Sequence, residues 1–143
     1  MPELGELVST AALIDRLAAI HRATAEAALG EIGVLPSLTG VLWLLEQGPA
    51  DPSMKEVALS LGCDPSYVSL LAGQLETSGL AERVVAGGDA RARVLRLTPQ
   101  GSAAALHMLA AVATASPLAT LPAGEMELLG EAVRAAVGSV RAE

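Results

Sequence analysis

Four arginines crowd the segment 82–101, where Arg83, Arg91, Arg93 and Arg96 are set against only Glu82 and Asp89. Elsewhere the balance is acidic. Residues 1–52 set Arg16 and Arg22 against seven carboxylates, residues 102–143 set Arg134 and Arg141 against four, and the formal net charge is −7. A cationic patch between acidic ends can still dock on a polyanion, because the local field rather than the sum governs the encounter. Just upstream stand Ser66, Tyr67, Ser69 and Leu70. They are small hydrogen-bonding or apolar groups of the kind that meet base edges and thymine methyls in a major groove.

The remaining reactive side chains are few. Cys63 is the single cysteine, so the chain holds no internal disulfide framework and no Cys-based zinc or iron–sulfur site, which points to a reducing cytoplasm. With no second cysteine to resolve it, Cys63 reads as a small packing residue rather than an oxidant sensor. His21 and His107 have no accompanying carboxylate cluster, which favours packing or a ligand hydrogen bond over a metal site. No Ser-His-Asp order, phosphate loop or metal-ligand spacing is present, so neither an enzyme nor a cofactor is expected.

These groups must be positioned by a chain of 143 residues, 52% hydrophobic, with one Trp, one Tyr and no Phe. That is too apolar for a disordered tail and too poor in aromatics for a base-stacking single-strand binder. No signal peptide is legible, and the apolar stretch from Ala103 to Ala115, broken by His107 and Thr114, falls short of the roughly 18–20 residues of a membrane span. Leu4 to Leu29 carries Leu7, Leu13, Ile14, Leu17, Ala18 and Ile20 mostly at helical steps, and Gly30 and Gly33 are expected to end that helix. Leu38 to Gln47 is apolar nearly all round, which predicts burial on every side, Trp43 included. After the turn Gly48, Pro49, Asp51, Pro52, a capping box of Ser53 and Glu56 starts a helix over Met54 to Leu61, and Gly62 closes it. Asp64 caps the next helix, Pro65 occupies its first position, and it runs to about Ser78 before Gly79. Val68, Leu71 or Ala72, and Leu75 share one face of it; Ser66, Tyr67, Ser69, Leu70, Gly73 and Gln74 lie away from that face. Leu80 to Val85 and Arg93 to Leu97 then read as a hairpin around Gly87 to Ala90. Thr98 and Pro99 open a helix to about Ala115, and after Pro117 and Pro122 a last helix spans roughly Gly124 to Val140.

Two short helices joined by a tight Gly-containing turn and followed by a basic hairpin make a winged helix-turn-helix, with the second helix entering the major groove and the hairpin reaching a neighbouring minor groove or backbone. The run Asp89, Arg91, Leu95, Leu97, Thr98 and Gly101, together with Leu75-Glu76, Gly79-Leu80 and Arg83, resembles the signature of the MarR family of winged-helix transcription regulators over 53–101. The resemblance implies a mainly α fold with a small β-hairpin wing. A dimerisation helix would span 1–35, the winged helix-turn-helix 36–101 and further dimerisation helices 102–143. It further implies a homodimeric repressor on a pseudo-palindromic operator, with Arg91 inserted in the minor groove, Asp89 orienting the wing and Ser66 to Leu70 reading bases. The expected DNA-contacting set is Lys55, Ser66, Tyr67, Ser69, Leu70, Gln74, Arg83, Asp89, Arg91 and Arg93. Arg96 is expected to flank the strand or touch a phosphate. By the same resemblance Trp43, beside Leu17 and His21, would line a pocket for a small apolar or phenolic effector. A protein-interaction module that keeps the winged helix as a scaffold is the competing reading, favoured by the acidic ends.

Gln74 stands where the family often has a basic residue, Gly73 weakens the helix before it, and Lys55 is the only lysine. DNA affinity should therefore be modest. A plot of log affinity against log salt should be shallow, at about −0.9 per phosphate contacted, and a steep slope in a titration would contradict this.

Overall fold

Gly101 carries no side chain because there is no room for one: a Cβ built there would lie 1.7 Å from the Leu80 carbonyl oxygen. Around this close approach the computed structural model, which describes residues 1–87 and 93–140, assembles six α-helices and one antiparallel hairpin. The helices are α1 (Leu4–Glu31), α2 (Thr39–Gln47), α3 (Met54–Leu61), α4 (Pro65–Thr77), α5 (Pro99–Ala115) and α6 (Ala123–Val140); the strands are β1 (Ala81–Val85) and β2 (Arg93–Leu97). Short 3-10 turns at Pro36–Leu38 and Pro117–Thr120 lead into α2 and α6.

Local chemistry sets most boundaries. Ser53 Oγ accepts from the Glu56 amide at 3.1 Å while Glu56 accepts from the Ser53 amide at 2.6 Å, so both orphan donors at the start of α3 are satisfied. Gly62, at φ 63°, ends α3 in the left-handed region. The first helix runs through Gly30 to Glu31, beyond its expected end. Gly33, at φ 72°, makes the turn, and the Val34 amide reaches back to the Leu29 carbonyl at 2.9 Å. Gly30 keeps helical backbone, so one left-handed glycine suffices.

The core gathers one face from each central element: Leu38, Val41 and Leu42; Val57 and Ala58; Val68, Leu71, Ala72 and Leu75; Leu80 and Leu95; and Ala104, Ala105 and Met108 of α5. The last turns of α1 pack on α5 through Ala25, Ala28 and Leu29. Burial of α2 is one-sided in the single chain, not all round as its composition predicts: Val41 and Leu42 are buried, whereas Trp43, Leu44 and Leu45 are half-buried. The first half of α1 exposes Leu4, Leu7, Val8, Leu13 and Ile14, and α6 buries none of its residues while exposing Met126, Leu128, Val133 and Val137.

The hairpin pairs Ala81 with Leu97 through Val85 with Arg93. A third segment joins it: Ser53 bridges Val94, and the Leu95 amide donates to the Pro52 carbonyl at 3.0 Å. At its base the Thr98 amide donates to the Leu80 carbonyl at 3.0 Å, and the Thr98 hydroxyl donates to the Gly79 carbonyl at 2.6 Å while accepting from the Gly101 amide at 3.1 Å. Replacing Gly101 with Ala forces backbone against backbone there. The variant should lose about 3 kcal/mol, at the upper end of overpacking costs; urea unfolding beside a Gly73→Ala control, which has open space for its Cβ, measures the difference.

Candidate nucleic-acid interface

Helix α4 has two unlike faces. Val68, Leu71, Ala72 and Leu75 are buried, so its orientation is set by the core. Ser66, Tyr67, Ser69 and Leu70 are exposed, Tyr67 at 44% and Leu70 at 55%. Its N-terminus is held by Asp64, which accepts from the Ser66 amide at 2.8 Å and from the Ser66 hydroxyl at 2.7 Å. Those two bonds hold the Asp64 carboxyl below its ordinary range, the hydroxyl contributing most. Ser66 is therefore tied to its own cap through its hydroxyl hydrogen, leaving oxygen lone pairs for an incoming donor.

The expected contact residues divide by placement. Ser66, Tyr67, Ser69 and Leu70 are brought together on one open face. Lys55 is exposed in the first turn of α3, and Arg93 is exposed where β2 begins. Gln74 is half-buried, with its side-chain oxygen 3.4 Å from the Ser37 hydroxyl. Arg83 turns back on α4: it pairs with Glu76 and donates to the Ser69 carbonyl at 3.2 Å, bracing strand to helix. Arg96, at the flank of β2, is engaged by Asp51 through Nε at 2.9 Å and Nη2 at 2.7 Å, an ion pair within the chain. Asp89 and Arg91 lie outside the described residues. Sequence reasoning missed Leu35, which with Ser69, Leu70, Gly73 and Gln74 lines a shallow depression of about 420 Å³ along α4; nothing local to Leu35 signals a neighbour so far along the chain.

Two hollows flank α2. One, of about 610 Å³, lies between α1, α2 and α3 and is lined by His21, Arg22, Glu26, Thr39, Trp43 and Leu61 among others. The other, of about 620 Å³, shares His21 and Trp43 and is closed by α5 and the approach to α6. His21 and Trp43 line both hollows, and half-buried Leu17 lines neither. His21 Nε2 is 2.7 Å from the Ser116 hydroxyl, and His107 lies 3.5 Å from Glu31, so the two histidines go to different partners. Among the described residues no three His, Cys, Asp or Glu side chains are grouped to hold a metal, and no helix is long and apolar enough to cross a membrane.

No family model and no curated protein matches this chain by sequence. Solved structures do. The transcriptional regulator PA3341 superposes with a TM-score of 0.78 at 22% identity, covering 94% of this chain and 99% of its own. CouR from Rhodococcus jostii RHA1, bound to p-coumaroyl-CoA, gives 0.71 at 22% identity over 85% of this chain and 87% of its own. Sco3205, a MarR family transcriptional regulator from Streptomyces coelicolor in complex with DNA, gives 0.69 at 21% identity over 97% of this chain and 90% of its own. The chain has the winged-helix fold of the MarR family of transcriptional regulators.

The Asp64 cap carries a pH signature. Because its folded pKa is depressed, its contribution is present above the ordinary value of 3.8 and is lost as pH falls through the lower folded value. Amide exchange at Ser66, referenced to intrinsic rates, should accelerate only in that acid window, and in Asp64→Ala at every pH; a flat profile in the parent protein would remove the cap from the account.

Proposed function

We propose that this protein is a homodimeric, sequence-specific DNA-binding transcription regulator, acting as a repressor in the cytoplasm, on a pseudo-palindromic operator. The observation that carries this reading is the division of α4: its apolar face is committed to the core while Ser66, Tyr67, Ser69 and Leu70 stand open on the other side. On this reading α4 enters the major groove, Lys55 and Arg93 meet phosphates, Gln74 adds an amide at the far end of the reading face, and Arg91, by the resemblance of its motif, enters the minor groove with Asp89 orienting it. Arg83 contributes by holding α4 against β1 and offers its remaining donors to the backbone.

The exposed apolar residues of the first half of α1 and of α6 support dimerisation through these terminal helices. A dimer would present two α4 helices about 34 Å apart, one turn of duplex. The hollow bounded by His21 and Trp43 suits a small apolar or phenolic effector. Because it is walled by α1, α2 and α3, a ligand there bears on the elements that set α4 spacing, and a small pivot suffices to release the operator. No enzymatic role is proposed.

The second reading, an interaction module without DNA affinity, draws on the engagement of Arg83 and Arg96 by carboxylates of the same chain. Mobility shifts on the DNA flanking the protein's own gene, with and without phenolic compounds, separate the two. Arg91→Ala and Tyr67→Ala should each weaken the shift by about tenfold or more, in line with the 1–3 kcal/mol of a base or groove contact, with the dimer mass by light scattering unchanged. A dimer that shifts no flanking duplex in any arm supports the module instead.

A further inference from the structure

The turn between α2 and α3 is stitched to the second strand of the wing at three successive residues, running antiparallel to it. Ser53 bridges Val94, the Pro52 carbonyl accepts from the Leu95 amide, and the Asp51 carboxylate receives the fork of Arg96. Asp51 is the one non-glycine residue with positive φ (51°) among those described. That is a sparsely used conformation which short polar side chains tolerate and which is kept where the surroundings over-determine it. The Arg96 side chain, beside the carboxylate, holds Asp51 below the usual carboxylate range, and Asp51 in turn holds Arg96 up. Glu82, across the hairpin from Arg96 in register, adds attraction from the other side.

Side chains exposed at 50% and 41% give an ion pair little weight in global stability. Its geometry does something else. Two parallel hydrogen bonds fix a direction as well as a distance, and they act at the root of a projecting hairpin. Arg93 lies three residues beyond Arg96, about 10 Å along the strand, so a rotation of about 10° at the root displaces it by about 2 Å. We propose that Asp51 and Arg96 are positioning residues that set the angle of the wing against the α3–α4 pair, so that helix and hairpin meet a duplex together. This rests on the DNA-binding reading for its consequence, and on the hairpin alone for its test.

The decisive variants are Asp51→Asn, which keeps the size and the tolerance of positive φ, and Arg96→Gln. In both, the unfolding midpoint should stay close to that of the parent while amide exchange at Leu95 rises by about tenfold. Affinity for a duplex carrying the DNA upstream of the protein's own gene should fall by about tenfold in both. Were Arg96 a phosphate contact restrained by Asp51, Asp51→Asn would instead tighten DNA binding by removing a negative charge, and that sign overturns the proposal. Unchanged Leu95 exchange in both variants overturns it as well, whatever the DNA result. If the parent shifts no duplex, the DNA-binding reading fails, and Leu95 exchange still decides whether the pair anchors the wing.

Discussion

The Leu80 carbonyl sits where the end of α4, the start of β1, the end of β2 and the first turn of α5 converge. It accepts from the Thr98 amide and leaves no space for a side chain at Gly101. A hydrogen bond and a steric exclusion at one oxygen thereby join two pairs of elements, α4 with β1 and β2 with α5, that lie about twenty residues apart in sequence. Close packing of this kind is stiff rather than compliant, since moving either backbone breaks contacts on both. The helix that faces outward and the hairpin beside it are oriented by this junction, and α5 is led from it into the core.

From that junction the division of labour among the charged residues follows. Arg83 and Arg96 sit on the two strands, within reach of carboxylates on α4 and on the turn before α3, and both are engaged there. They act as struts between the hairpin and the helices. Lys55 and Arg93 are exposed at the start of α3 and of β2. A chain with net charge −7 thus places its arginines so that part of the positive charge stiffens the cationic segment instead of adding to its field.

Much of this was legible beforehand because the signals are short-range. The Ser53–Glu56 capping box, Asp64 followed by Pro65, Gly62 and Gly79, and Thr98 followed by Pro99 act within three or four residues, and each marks the boundary it implies. The period of Val68, Leu71, Ala72 and Leu75 likewise named the buried face of α4 and, by subtraction, its open face. Local reading failed where the neighbour is distant. Composition alone predicts α2 buried all round, yet it borders two hollows, because burial depends on how many elements surround a helix and not on its own hydrophobicity. Leu17, set beside His21 and Trp43 by the family resemblance, does not line the hollow, whose α1 lining begins at the next residue, Ala18.

By itself, then, the sequence determined the order of the elements, their caps, the face that α4 keeps dry and the cationic character of the hairpin, since each depends on hydrogen bonds and periodicities internal to one element. Only the tertiary structure decided which arginines are engaged, that residues 51–53 form a third partner for β2, that Leu35 and Ser37 border α4, and that Gly101 must yield its side-chain space to Leu80. Those outcomes depend on distances between different elements, separated by seven residues for Arg83 and Glu76 and by forty-five for Asp51 and Arg96, and they exist only once the core has drawn those elements together.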